Sequence, residues 1–148
     1  MHTFGGQVGQ KIRAAREQVA ALIGALPEEI IFTSCGTESD NSAIRSALTT
    51  QPDKKHIVTS RVEHPAVRAL CAQLAAQGYR VTELSVDKNG VLDLENLEKT
   101  MTPDTAVVSL MWGNNETCSK TVRNMLNEWA KLKPKQREEV RLLFKGLA

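Results

Sequence analysis

No run of about 18 apolar residues occurs in the 148-residue sequence, so a membrane-spanning helix is not expected. The opening MHTFGGQVGQK lacks the basic-then-apolar layout of a secretory leader. Cysteine is scarce. Cys35, Cys71 and Cys118 are an odd number in unrelated contexts, which argues against a disulfide framework or a zinc site and fits a reducing cytoplasm. Internal repeats and low-complexity tracts are also missing. What is there is the composition of an ordinary globular protein, long enough to bury one modest core.

The net charge of +2 hides an asymmetry. Residues 1–118 carry 11 Lys and Arg against 14 Asp and Glu, a net of −3; residues 119–148 carry 8 against 3, a net of +5. A basic tail on an acidic body is a composition break, expected of a nucleic-acid-binding appendage or of two pieces of different origin.

Residues 5–24 place Val8, Ile12, Val19, Leu22 and Ile23 near helical spacing and end at Gly24, which predicts an amphipathic helix. EIIFTS (29–34) reads as a short apolar strand, residues 37–50 as a helix with Ile44 and Leu48 on one face, and KHIVTS (55–60) as a second strand. PAVRALCAQLAAQGY (65–79) predicts a helix with Pro65 in its first turn and Gly78 closing it. RVTELSV (80–86) alternates like a strand, DKNG is a turn, DLENLEKTM (93–101) a short helix and TAVVSLMW (105–112) a buried strand. This alternation predicts an α/β fold, a mostly parallel sheet with flanking helices. Past Cys118, KTVRNMLNEWAKL and KQREEVRLLFKGLA each offer an amphipathic face, the second through Val140, Leu143, Phe144 and Leu147. They predict a helical C-terminal tail.

Ligands of parallel sheets bind beyond the carboxyl ends of the strands. Three polar stretches fall there: SCGTESD, SRVEHP and GNNET. In the first, a helix amino end supplies unpaired N–H groups that attract phosphate, Gly36 allows close approach and Thr37 offers a hydroxyl. The bland alternative is that Ser34 or Thr37 simply caps the helix, with Asp40 completing a capping box. His64 before Pro65 is either a polar helix entry or an imidazole facing a planar ring. Asn115 is either a turn residue or an amide that hydrogen-bonds a cofactor or substrate. Cys71 reads as a core residue, and nothing beyond the helix dipole supports Cys35 as a nucleophile.

Taken together, MHTFG, EIIFTSCGTESDN, HIVTSRVEHPAV, NGVLDLENLE and VSLMWGNNET closely resemble the NifS-type cysteine desulfurases, pyridoxal-phosphate (PLP) enzymes of the class V aminotransferase group. The resemblance covers residues 1–117, leaving 118–148 as an unrelated basic helical tail. It implies a partial fold-type-I PLP-transferase large domain. The parent enzyme is a homodimer that takes sulfur from L-cysteine, leaves L-alanine and passes a persulfide to iron–sulfur cluster assembly. Gly36 and Thr37 match the family's phosphate-binding positions, His64 the histidine that stacks on the cofactor ring, and Asn115 the asparagine at the cofactor–substrate system.

Departures accompany the match. Cys35 stands where the family has glycine, a side chain expected to crowd the phosphate or adjust the backbone. Met1 matches an internal methionine, NNETG becomes NNETC, and the family's Schiff-base lysine, ring-nitrogen aspartate and loop cysteine are not recognisable. Lys11, Lys54, Lys55, Lys88 and Lys99 lie in the wrong contexts to substitute. The expectation is a truncated desulfurase, from an interrupted or rearranged gene, inactive alone and of doubtful PLP binding. The other readings are a noncatalytic module pairing with a full-length desulfurase or a complementary fragment, and a tail that binds nucleic acid, which a solvated charged helix face explains as well.

Overall fold

The computed structural model describes residues 3–114 and 142–145. The chain divides into two compact units, 1–34 and 35–148. In the first, helix α1 (Thr3–Ile23) is followed by a 3-10 turn, Pro27–Glu29. Gly24 takes the left-handed conformation (φ 68°), and Ala25 N–H reaches back to Ala20 O at 2.9 Å, so the terminal carbonyls of α1 are satisfied by a glycine cap. The apolar residues of α1 sit as spaced, but they are uncovered: Val8, Ile12, Val19, Leu22 and Ile23 are all exposed.

EIIFTS is not a strand. At its start the backbone is spent locally, Ile30 N–H on Pro27 O (3.2 Å) and Arg16 Nε on Ile30 O (3.1 Å), and none of the described strands pairs with the segment. Ile31 is 81% exposed and Phe32 lies under the Arg16 guanidinium, 5.4 Å from ring centroid to Cζ.

The second unit holds α2 (Gly36–Thr49), β1 (His56–Ser60), α3 (Pro65–Ala76), β2 (Arg80–Leu84), α4 (Leu94–Thr100), β3 (Thr105–Met111) and β4 (Leu142–Lys145). The strands form one parallel sheet in the order β2-β1-β3-β4. β1 and β3 are buried along their whole length, as central strands covered on both faces must be. In register, Ile57 pairs with Val107 and Val58 with Val108, and each pair faces a different layer. Ile57 and Val107 pack with Ile44, Leu48, Val67, Leu70, Cys71 and Leu74 of α2 and α3. Val58, Val108 and Leu110 pack with Leu84, Leu92 and Leu97 on the α4 side. Gly78 (φ 93°) closes α3, with Tyr79 N–H on Leu74 O, and Asp93 caps α4 by accepting from Glu95 and Asn96 N–H.

The expected tail helix over KQREEVRLLFKGLA is corrected at its apolar end, where residues 142–145 form β4 beside β3, Val108 opposite Leu142 and Leu110 opposite Phe144. A short run such as Leu-Leu-Phe satisfies either periodicity, and an edge strand with a buried neighbour satisfies its backbone. The helix expected over KTVRNMLNEWAKL lies outside the described residues.

At the amino end of the sheet His56 is fully buried. Its Nδ1 lies 2.8 Å from Thr105 Oγ1 and its Nε2 2.9 Å from Thr82 Oγ1, so one imidazole joins three strands. Burial first and the Arg80 charge second hold its pKa below the ordinary 6.5, against an opposing pull from Asp104. The unfolded chain therefore binds the proton more readily. The contribution to stability is complete above about pH 6.5 and is lost as pH falls from there through the depressed folded value. Thermal unfolding followed from pH 7.5 to 5 is expected to show a midpoint that falls with pH, and His56→Gln should flatten that slope.

Candidate functional site

Helix α2 begins at Gly36 with Cys35 as its N-cap, in an extended conformation (φ −164°, ψ 171°), and the thiol makes no capping hydrogen bond to the helix. Neither Ser34 nor Thr37 occupies the cap position. The capping-box alternative is therefore corrected: the position falls to a residue whose sulfur is a weak acceptor. The extended backbone at Cys35 accepts any side chain, so the cysteine imposes no backbone strain there. At Gly36 an added Cβ would meet nothing within 4 Å, and Gly36 and Thr37 are both exposed. The first turn of α2 thus presents backbone N–H groups, one hydroxyl and open space, which fits a phosphate group.

Strand β1 leaves the sheet through Arg61-Val62-Glu63-His64 into α3. His64 is the N-cap of α3, and its Nδ1 accepts from Ala66 N–H at 3.1 Å. That bond assigns the neutral tautomer with the remaining proton on Nε2. The ring itself is exposed. Strand β3 leaves beside it. The carboxylate of Glu63, only 4% exposed, accepts from Met111 N–H and from Ser60 Oγ (3.1 Å), and Asn114 Nδ2 donates to Val62 O at 3.1 Å.

These two exits flank the point where the strand order reverses. The chain passes from β1 outward to β2 and then back across to β3, and open parallel sheets bind ligands in the crevice at such a switch. The amino end of α2 points to the same end of the sheet. Gln51, just past the carboxyl end of α2, donates through Nε2 to Ala106 O at the start of β3 (2.9 Å), so the other end of the helix lies toward the strand termini. Helices α2 and α3 also run in step: Arg45, nine residues into α2, reaches Gln73, eight residues into α3, at 2.8 Å. Packed helix axes lie about 8–10 Å apart, which sets Gly36–Thr37 and His64 at neighbouring helix starts.

Asn115 lies outside the described residues, as does Cys118. Cys71 is a core residue, 1% exposed. Of the described lysines, Lys54 and Lys55 precede β1, Lys55 lies over the Tyr79 ring (4.8 Å), Lys99 pairs with Glu95 (3.5 Å), Lys88 sits in the Asp87–Gly90 turn, Lys11 lies on α1, and Lys145 ends β4 in register with Met111, the last residue of β3. Sequence reasoning missed Glu63 and Asn114. An acid wedged between a buried strand and a proline-started helix was the available signal for Glu63. It also missed Asn41, one turn beyond Thr37 on the core side of α2, whose Oδ1 is buried without a hydrogen-bond partner among the described residues.

The family described as Aminotransferase class-V matches residues 1–132. A cysteine desulfurase of Nostoc sp. (strain PCC 7120) is 62% identical over 117 residues, 79% of this chain and 29% of that protein. The cysteine desulfurase NifS of Azotobacter vinelandii is 56% identical over 118 residues, again 79% and 29%. Among solved structures, a NifS-like protein superposes with a TM-score of 0.85 at 34% identity, covering 99% of this chain and 40% of its own. The chain thus spans less than a third of the length of the curated relatives it matches.

Proposed function

The chain belongs to the class-V aminotransferase family, and we propose that it forms the phosphate-holding part of a cysteine desulfurase large domain, seating PLP without turning over L-cysteine by itself. The observation that carries this reading is the open first turn of α2 at Gly36 and Thr37, in step with the His64 end of α3 at the switch point of the sheet. PLP, when bound, supplies an electron sink for bonds at the substrate α-carbon. The chain's own contribution is to bind and orient. With PLP bound, the amino end of α2 and the Thr37 hydroxyl would hold its phosphate, and His64 at the neighbouring helix start would meet its ring. The resemblance assigns Asn115, outside the described residues, to the cofactor–substrate system. The thiols of Cys35 and Cys71 suit a reducing cytoplasm.

Titration with pyridoxal phosphate, followed by absorbance and in competition with inorganic phosphate, tests the cradle. Thr37→Val should weaken both ligands by about 2- to 10-fold, the worth of one hydrogen bond. Saturable binding unchanged in Thr37→Val, or no binding at all, would overturn the assignment.

The uncovered apolar residues of the first unit favour a second element of the reading, that further parts of a desulfurase fold cover this unit. Val8, Ile12 and Val19 recur on α1 at 45%, 45% and 37% exposure, and Ile31 and Phe32 follow at 81% and 49%. A patch of this kind marks an interaction surface more often than a solvated face. We assign it to the remainder of a desulfurase fold, on a complementary chain or a full-length homodimeric enzyme. The basic tail as a nucleic-acid-binding arm has no comparable observation behind it.

A further inference from the structure

We propose that Glu63 is a positioning residue, whose buried carboxylate pins the loop carrying His64 to the carboxyl end of β3 and so sets where the imidazole stands. Carboxylates are seldom this buried without a structural or functional return, and Glu63 is 4% exposed. The return is a pair of charge-assisted hydrogen bonds that close two different paths. The bond from Ser60 Oγ (3.1 Å) folds the loop back on the end of β1, and the bond from Met111 N–H ties it to a strand 48 residues away. Met111 is the last residue of β3, so its N–H marks the rim of the sheet.

The adjacent residue is His64. With Glu63 fixed on two strands, the backbone entering His64 has little freedom. Its ring is then oriented from the other side by Ala66 N–H on Nδ1 (3.1 Å). Asn114 acts in parallel, donating through Nδ2 to Val62 O (3.1 Å). The two exits are therefore tied to each other, and the imidazole is positioned through its neighbour's carboxylate. The value of this arrangement to a bound ring rests on the proposed PLP reading; the staple itself does not.

The test uses the full chain and three variants. Amide exchange at Met111, the His64 ring nitrogen shifts by NMR, and pyridoxal phosphate affinity are compared in wild type, Glu63→Ala, Glu63→Gln and Ser60→Ala. Glu63→Ala should speed exchange at Met111 by about 10-fold or more relative to Val58 and Val107 in mid-sheet, and bring the His64 ring shifts toward those of a mobile histidine. Glu63→Gln keeps an acceptor oxygen and should restore both within about 3-fold. Ser60→Ala, which removes one of the two donors, decides the matter should Glu63→Ala fail to fold, with an intermediate effect on the same two signals. Wild-type ring shifts and Met111 exchange in the alanine variants would overturn the proposal, as would a uniform loss of protection across the sheet. Where wild type binds pyridoxal phosphate, Glu63→Ala should raise the dissociation constant by about 5- to 20-fold. Failure of wild type to bind it counts against the cofactor reading alone, because the exchange and ring-shift arms still decide the role of Glu63.

Discussion

Purified chain mixed with pyridoxal phosphate and L-cysteine is expected to release sulfide and alanine no faster than the free cofactor does. The parent chemistry needs an amine that holds the cofactor and moves the substrate α-proton, and a thiol that accepts the sulfur. A positioned acid–base group is worth roughly 10² to 10⁴ in rate, and loss of the nucleophile removes a separate step. Among the described lysines, Lys145 ends β4 in register with Met111, at the carboxyl end of β3 where His64 also stands, and it is the first residue to weigh as a substitute amine. The nearest in sequence to β1, Lys54 and Lys55, precede it at the opposite end of the sheet. Cys71, the described cysteine nearest in sequence to His64, is sealed in the core at 1% exposure. Sulfide and alanine measured together against a cofactor blank check this. Turnover near the ordinary enzymatic range of about 1 s⁻¹ would show that another group of this chain serves as amine and thiol. Adding a complementary chain or a full-length desulfurase is expected to change the outcome only if it brings those two groups.

The sheet was legible because its central strands are locally consistent. HIVTS and TAVVSLM combine β-branched residues with burial on both faces, and the helices between them carry their own start and stop signals, Pro65 with Gly78 and Asp93 ahead of Leu94. EIIFTS has the same local composition yet no ladder, because a strand is a property of two segments and composition describes one. LLFK is the converse case, three apolar residues and a lysine within a segment read as helix, which finds β3 beside it. The helix starts at Gly36–Thr37 and at His64–Pro65 were legible because residue type and backbone geometry are tightly linked at element boundaries. Glu63 was not. Its role depends on Met111, which is 48 residues distant, and no local pattern announces a bond of that span. Asn41 was hidden for a related reason, since only packing reveals that its oxygen is buried without a partner.

Two isoleucines separate burial from composition most sharply. Ile57→Ala is expected to cost about 2–5 kcal/mol, because Ile57 is fully buried opposite Val107 and the surrounding α2 and α3 side chains cannot close the void it leaves. Small domains hold only about 5–15 kcal/mol in all, so the melting midpoint should fall by roughly 5–15 °C. Ile31→Ala removes the same atoms from a side chain that is 81% exposed and should stay within about 0.5 kcal/mol of wild type. Denaturant and thermal unfolding of the two variants measure the difference. A large loss from Ile31→Ala would mean that the 30–33 segment is packed as a strand after all, and the account of its locally spent backbone would fall. If a partner chain covers the first unit, the ranking changes in a defined way. Ile57→Ala then weakens folding with or without the partner, whereas Ile31→Ala leaves the isolated chain alone and weakens only the complex. The burial of an apolar side chain is worth its transfer energy wherever the covering surface comes from.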